Sequence, residues 1–415
     1  MIQVITIGCR LNQSEGEQLK RLPLTAFRIN NSSEQRVAGS EEFNSTSILS
    51  THYSLLNHIC IVNTCAVTRE AVSTSWKMIR RQIKNSKPKT QNSKLIVTGC
   101  LVTLEREKML AMSGIDAVLT QEEKVSLLEK KLGDAELSSA PCIIPSRSRP
   151  VIKIQDGCAN ECSFCVARVI RGRPKSVAPQ IIIDEINRVT NLGYQEVVLT
   201  GLNLGRYGKD IGYSLTQLIQ SLPTNSYRVR LSSTEPDTIT DELLDLWRTK
   251  RLCRHLHIPL QSGDNRILKL MQRKYCRESY IELIEKVISK IPGINIGTDV
   301  IVGFPQEDET ALKNTINLIE KLPFGYLHVF PYSSRPGTEA RKLLDTVNVE
   351  KKKERVRILR EIADKKKQVF RERFKGSVLE VLVEENQNGL TDNYIRVTIP
   401  QHGNYYKGQL YKLVV

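Results

Sequence analysis

The sequence has no apolar run near the ~18 residues that a membrane-spanning helix needs. That absence excludes a helical integral membrane protein, and no membrane partner is expected. Met1–Gly8 has neither a charged leader nor a long apolar stretch, so it does not read as a secretory signal. A cytoplasmic location is the expectation. Acidic residues are in short supply: 45 Asp and Glu face 61 Lys and Arg, a net charge of +16. The deficit points to a polyanionic partner, with a basic surface kept for solubility as the competing reading.

What is present is ample. The 415 residues are 40% hydrophobic, enough for two or three domains with real cores. Ten cysteines in a chain without a secretory leader read as metal ligands or redox groups rather than disulfides.

The fold class is α/β. In residues 1–140, Val4–Ile7, Ile59–Val62, Leu95–Val97 and Ala117–Leu119 read as strands, with helices at Ala71–Ile83 and Thr103–Met112. This alternation predicts a small parallel sheet. A Ser/Asn-rich stretch from Asn30 to His52 reads as a surface loop, and Ser138–Pro150 as a linker. Residues 147–374 repeat strand then helix, with strands at Val151–Gln155, Glu196–Thr200, Arg228–Ser232, Leu256–Gln261, Ile294–Val302 and Tyr326–Pro331. Six parallel strands with crossover helices make an open sheet or an incomplete (βα)6 barrel. Ile183, Ile186, Val189 and Leu192 share one helical face, as do Leu312, Ile316 and Ile319. Arg341–Lys375 reads as a helix with fourteen basic and six acidic residues. Its buried stripe would be Val356, Leu359, Ala363, Phe370 and Phe374. Nucleic-acid contact and a solvated face are both open for its charges. Residues 375–415 switch to β-branched runs, Val378–Val383 and Tyr394–Ile399, and read as a small β module that must dock on something.

The cysteines carry the chemistry. Cys158, Cys162 and Cys165 form a CxxxCxxC loop directly after the first strand of the central region. Three thiolates at this spacing can wrap one corner of an iron–sulfur cubane and leave the fourth iron open to substrate. Zinc is the competing metal, but it usually takes four ligands, and the loop has no His and no fourth Cys. Cys9, Cys65 and Cys100 each follow a predicted strand. In a parallel sheet those ends converge on one edge, where three thiolates could hold a second cluster. Three separate structural cysteines are the alternative. Cys60, Cys142, Cys253 and Cys276 read as structural or incidental.

The CxxxCxxC loop after a strand resembles the signature of the radical S-adenosylmethionine superfamily. The peptides GCRLNQSE, NTCAVT and TGC, followed by IQDGCANECSFC, are similar to the methylthiotransferase family within it. The likeness continues through Gly201-Leu202-Asn203, Pro259-Leu260-Gln261-Ser262-Gly263, Asp299–Pro305 and Pro331–Thr338, and covers nearly the whole chain. The resemblance implies a partial radical S-adenosylmethionine barrel and a small C-terminal RNA-binding β-barrel of the TRAM type. It implies two 4Fe-4S clusters, the radical-generating one on Cys158, Cys162 and Cys165 and the auxiliary one on Cys9, Cys65 and Cys100. It also implies S-adenosylmethionine, with Thr200 and Gly201 near its methionine end and Gln261 and Asp299 near its ribose or adenine. The long interval before Cys65 makes Cys60 a rival ligand, though the NTC context favours Cys65. The implied partners are the tRNA anticodon stem-loop, a reductant such as flavodoxin or ferredoxin, and a sulfur donor.

Asn63–Thr68 and Glu196–Gly201 look most like the branch that methylthiolates C2 of N6-threonylcarbamoyladenosine beside the anticodon. The isopentenyladenosine branch and the branch acting on a ribosomal-protein aspartate are alternatives. A non-catalytic RNA-binding iron–sulfur protein is an alternative of another class, disfavoured by a three-cysteine loop that leaves an iron open.

Overall fold

The computed structural model describes residues 2–22, 58–85, 93–132, 147–223, 227–385, 387–400 and 403–415. The loop expected at Asn30–His52, most of the expected linker, and Cys142 lie outside the described residues. The chain forms two compact units, Met1–Ile143 and Ile144–Val415.

The first unit alternates β1 (Ile2–Thr6), α1 (Arg10–Lys20), β2 (His58–Thr64), α2 (Arg69–Asn85), β3 (Ser93–Gly99), α3 (Cys100–Leu110), β4 (Ala117–Leu119) and α4 (Gln121–Leu132). The four strands pair in parallel in the order β1-β2-β3-β4. The central strand β2, HICIVNT, is buried from Ile59 onward, as expected for a parallel strand covered on both faces. Its core joins Ile59, Ile61 and Ile96 of the sheet to Leu19, Leu22 and Leu128. Helix α3 starts three residues earlier than the sequence suggests, at Cys100 itself, and kinks at Glu105.

The second unit holds six parallel strands, β5 (Val151–Asp156), β7 (Glu196–Gly201), β8 (Arg228–Leu231), β9 (His255–His257), β10 (Asn295–Val302) and β11 (Tyr326–Pro331). Between them run α5 (Val166–Arg171), a two-residue antiparallel edge β6 (Lys175–Ser176), α6 (Pro179–Asn191), α7 (Leu215–Ser221), α8 (Asp241–Asp245), α9 (Asn265–Leu270), α10 (Arg277–Lys290) and α11 (Glu309–Lys321). The sheets β6-β5-β7-β8 and β9-β10-β11 meet through parallel bridges at Val229–Leu252 and Ser233–His257. This is the incomplete (βα)6 barrel. β9 is shorter than expected: regular pairing stops at His257, and Gln261, whose φ is +64°, meets β10 again only through an isolated bridge to Val300.

The strands are apolar outward and polar inward. Val197, Leu199, Val229, Leu231, Ile258, Ile296 and Val300 pack against Ile182, Ile186, Leu218, Ile284 and Leu318 of the helices. Alternate positions on the other face carry Glu196, Arg228, Arg230, His255, His257, Asn295 and Asp299, as the two-residue period of a strand requires. The face of α6 centres on Ile182, Ile186 and Val189, while Leu192 falls after its end and is exposed.

The basic helix is α12 (Val349–Glu372), shorter than expected because Asn348 caps it by accepting a 2.8 Å bond from Lys351 N–H. Val356, Leu359 and Ala363 join the barrel core, whereas Phe370 joins the core of the tail. The tail is an antiparallel sheet of β12 (Val378–Val383), β13 (Asn388–Thr391), β14 (Arg396–Thr398) and β15 (Leu410–Val414), in the order β14-β13-β12-β15. The β13–β14 turn docks on the N-terminal ends of the barrel strands. There Arg228 donates to the carbonyls of Glu380 and Leu390, and Arg230 to those of Thr391 and Asp392, all at 3.0 Å. Both guanidinium groups also bind Glu196, at 2.7 Å. Asn295 donates to Asn393 O at 2.9 Å, and the Tyr394 ring stacks on His255 with centroids 4.2 Å apart.

Candidate active site

At the opposite, C-terminal end of the barrel strands lies the cysteine loop. Gly157 takes a φ of +67°, and a Cβ there would stand 1.9 Å from Arg173 O, so only glycine lets the chain leave β5 at this angle. The loop is then stapled on both sides. Ser163 donates to Met271 O and Leu270 O at 3.1 and 2.8 Å, and Ala340 N–H donates to Ser163 O at 2.7 Å. Cys165 stands at the N-cap of α5.

Each thiol has a defined setting. Cys158 Sγ accepts from Asn160 N–H at 3.4 Å and from Asn203 Nδ2 at 3.7 Å. Cys162 Sγ accepts from Arg273 Nη1 at 3.1 Å. The same guanidinium pairs with Glu235 and donates to Tyr275 Oη at 3.1 Å. Burial pushes the Cys162 thiol up to about 11 despite Arg273, and burial also raises Cys165. Three thiols on one short loop, with the charged forms of Cys162 and Cys165 disfavoured by burial, fit a site that is completed by a cationic iron core, because metal coordination deprotonates a thiol outright.

The other expected contact residues gather at the same strand ends. Thr200 and Gly201 end β7, and the space above Gly201 is taken by Gln155, whose Oε1 would lie 3.0 Å from a Cβ there. Gln155 also accepts from Asn203 N–H at 2.9 Å and donates to Gly157 O at 2.7 Å, which locks β5 to β7 beneath the cysteine loop. Gln261 combines its left-handed backbone with a buried Oε1 that has no partner, the strained and under-satisfied state that functional positions tolerate. Burial would raise the Asp299 carboxyl. His257 at 2.9 Å and His328 at 3.2 Å outweigh this and hold it well below the usual carboxylate range. His257 is oriented in turn by Tyr326 Oη at 2.9 Å. These three groups have metal-ligand character, yet both histidine nitrogens that face Asp299 already hydrogen-bond it.

In the first unit Cys9, Cys65 and Cys100 come together. Cys9 ends the turn after β1, Cys65 follows β2 and Cys100 opens α3 after β3. The charges of Cys9 and Cys100 both bear on Cys65, whose thiol is pushed up to about 11, chiefly by burial. The rival Cys60 lies inside β2, where its Sγ faces Gln82 of α2 at 3.8 Å. Below the thiols, Lys124 and Glu15 form a fully buried pair at 2.5 Å. Arg273, Glu235 and Lys124 were not legible as site residues, because each meets the thiol loops only through the tertiary fold, whereas Gln155 stands within IQDGCANECSFC. Asn12 and Glu15 had a signal available, since both stand within GCRLNQSE.

Residues 152–319 match the Radical SAM superfamily, and residues 28–120 match Uncharacterized protein family UPF0004. Among solved structures the chain is similar to the radical S-adenosylmethionine methyltransferase TsrM from Kitasatospora setae with cobalamin and a [4Fe-4S] cluster bound. The TM-score is 0.52 at 14% identity, covering 68% of this chain and 63% of that one, a likeness of fold alone. Barrel and cysteine loop together define a radical S-adenosylmethionine enzyme, which uses that cofactor with a 4Fe-4S cluster.

Curated relatives are closer. The threonylcarbamoyladenosine tRNA methylthiotransferase MtaB of Aquifex aeolicus is 33% identical, over 99% of this chain and 98% of that protein. MtaB of Thermotoga maritima is 34% identical over 92% and 86%. The tRNA-2-methylthio-N(6)-dimethylallyladenosine synthase of Thermotoga petrophila is 36% identical over 80% and 79%. The chain belongs to the methylthiotransferase family of radical S-adenosylmethionine enzymes.

Proposed function

We propose that this enzyme transfers a methylthio group to C2 of N6-threonylcarbamoyladenosine in tRNA, next to the anticodon. The observation that carries the reading is the second thiol site. A radical enzyme that only abstracts hydrogen needs the barrel cysteines, whereas one that also delivers sulfur needs somewhere to hold it. Cys158, Cys162 and Cys165 would hold the radical-generating 4Fe-4S cluster, and Cys9, Cys65 and Cys100 an auxiliary one. When bound, the barrel cluster supplies the electron that cleaves S-adenosylmethionine and so opens a C–H bond that no side-chain base could deprotonate.

The chain's own residues position and shield. Arg273 donates to Cys162 and keeps the buried Glu235 paired. Gln155 fixes the ends of β5 and β7 so that Thr200, Gly201 and Asn203 face the cofactor. Gln261 offers an acceptor to its ribose or adenine, and Asp299 stays ionised between two histidines. Residues 1–140 would serve the auxiliary cluster, 147–374 the radical chemistry and 375–415 the RNA. A flavodoxin or ferredoxin would supply electrons, and a separate donor the sulfur.

Among relatives matched over more than nine-tenths of this chain, the threonylcarbamoyladenosine enzymes are 32–34% identical and the dimethylallyladenosine synthase 29%, which favours the threonylcarbamoyl nucleoside. The test is anaerobic reconstitution followed by incubation with tRNAs bearing one or the other modification and mass spectrometry of the digested nucleosides. A methylthio adduct on the threonylcarbamoyl nucleoside alone supports the proposal. An adduct on the dimethylallyl nucleoside alone reassigns the branch, and none on either, from a protein that still cleaves S-adenosylmethionine, rejects a tRNA substrate of this kind.

A further inference from the structure

We infer that Asn12 is the positioning residue of the three-thiol site, a single buried amide that fixes the loops of Cys9, Cys65 and Cys100 against one another. The inference rests on the proposal that these cysteines share a cluster, and goes beyond it by naming what sets their geometry.

The three thiols come from loops far apart in sequence, so something must hold those loops in register. Asn12 is completely buried on the first turn of α1. Its Nδ2 donates to Ile7 O at 3.0 Å, just ahead of Gly8-Cys9, and to Thr64 O at 2.8 Å, just ahead of Cys65. Its Oδ1 lies 3.9 Å from Cys100 Sγ. One side chain thus touches all three cysteine loops, which requires two donors and an acceptor on one short planar group. Aspartate keeps the shape but loses the donors, and alanine loses both.

The loops leave no slack that could absorb such a loss. Gly8 has a φ of +101°, and a Cβ there would sit 2.5 Å from the Cβ and Sγ of Cys65. Gly99, at a φ of +98°, would place a Cβ 2.4 Å from Thr64 O. Behind the hub a polar chain anchors it. Asn63 Nδ2 donates to Asn12 O at 3.0 Å, and Lys124 Nζ donates to Asn63 Oδ1 at 3.3 Å while paired with Glu15. A buried network of this kind holds its geometry only while every member is satisfied.

The test compares Asn12→Asp and Asn12→Ala in the full chain with Leu128→Ala. The last removes core volume from the same unit at a residue packed with Leu19, Leu22, Ile59, Ile61 and Ile96 rather than with the thiols. One readout is iron and sulfide per chain after anaerobic reconstitution. The other is arsenite affinity of the apoprotein, in a background where Cys158, Cys162 and Cys165 are alanine, since arsenic(III) binds tightly only to thiols held close together. Both Asn12 variants should fall from about eight irons to about four. Their arsenite affinity should drop about tenfold or more, as expected for the loss of at least one buried hydrogen bond from the bound geometry. Leu128→Ala should keep both properties. Asn12→Asp matching the wild type in iron and in arsenite affinity would overturn the inference, as would an equal loss in Leu128→Ala. Should wild type and a Cys9/Cys65/Cys100→Ala variant hold equal iron, the second-cluster proposal fails by itself, and the arsenite arm still decides the role of Asn12.

Discussion

Arg273 reaches Cys162 from 111 positions further along the chain, and its side chain is almost wholly buried. It neutralises Glu235 and donates to a sulfur at once, a task for which the fixed fork of a guanidinium is suited and an ammonium is not. Arg273→Met would leave Glu235 buried without its cation, at a cost of about 3–5 kcal/mol of stability. We expect a lowered urea midpoint in the apoprotein and, after reconstitution, fewer irons retained by the barrel. Arg273→Lys should restore more of the stability than of the iron content, because it returns the charge without the fork. Cys158→Ala should leave the fold intact and abolish 5′-deoxyadenosine formation, which chromatography of the reaction mixture checks. At this scale the sequence was legible where residue type and spacing are diagnostic, as for the six cysteines. It was silent on Arg273, an ordinary polar residue whose partners are set by the folded barrel.

The strands of the barrel invert the usual expectation for a charged residue. Arg228-Val229-Arg230-Leu231 alternates charged and apolar residues, yet Arg230 is completely buried because the β13–β14 turn covers it. The tail was legible as a β module from its β-branched runs. Its third and fourth partners, Asn388–Thr391 and Leu410–Val414, were not, being too short or too polar to show a period. Tyr394 sits at a φ of +65° in the turn itself, where a strand was expected. Burial alone would raise the Glu196 carboxyl, but Arg230, Arg228 and Arg149 bring it from 4.5 down to about 2. A folded value below the unfolded one means that this stabilisation is complete above about pH 4.5 and drains away as the pH falls toward 2. The amount at stake is on the order of 3 kcal/mol. Glu196→Gln should therefore be less stable than wild type near neutrality, and the two should converge in acid. Urea midpoints followed from neutral pH to about pH 3 would show it, and parallel curves would refute it.

At the scale of the whole molecule, the two tryptophans happen to report on different units, Trp76 in α2 and Trp247 in the barrel. Tyr394→Ala removes the ring stacked on His255 and should cost roughly 2–3 kcal/mol, somewhat less than a fully buried aromatic. It should lower the melting transition seen by Trp247 in a Trp76→Phe background and leave in place the transition seen by Trp76 in a Trp247→Phe background. The +16 charge makes a further demand. RNA affinity should fall steeply and linearly on a logarithmic salt axis, and replacing Lys367 and Arg371 of α12 and Lys375 just beyond its end by glutamine should flatten that slope. Fold class and family were legible at this scale because short peptides spread over nearly the whole chain agree with one another. The joining of barrel and tail into one unit was not, since α12 reads as a single amphipathic helix whose stripe in fact serves two cores in succession.

That joining bears on how the protein is made. Translation delivers the barrel first and the β13–β14 turn tens of residues later, so Arg228 and Arg230 emerge from the ribosome well before the carbonyls they bind exist. Until Leu390–Asn393 has been synthesised, the floor of the barrel is open and its arginine–glutamate cluster is wet. Chain completion is thus a folding checkpoint, and a premature stop after α12 should yield not a working barrel without its β tail but a nascent chain that chaperones and proteases treat as unfinished.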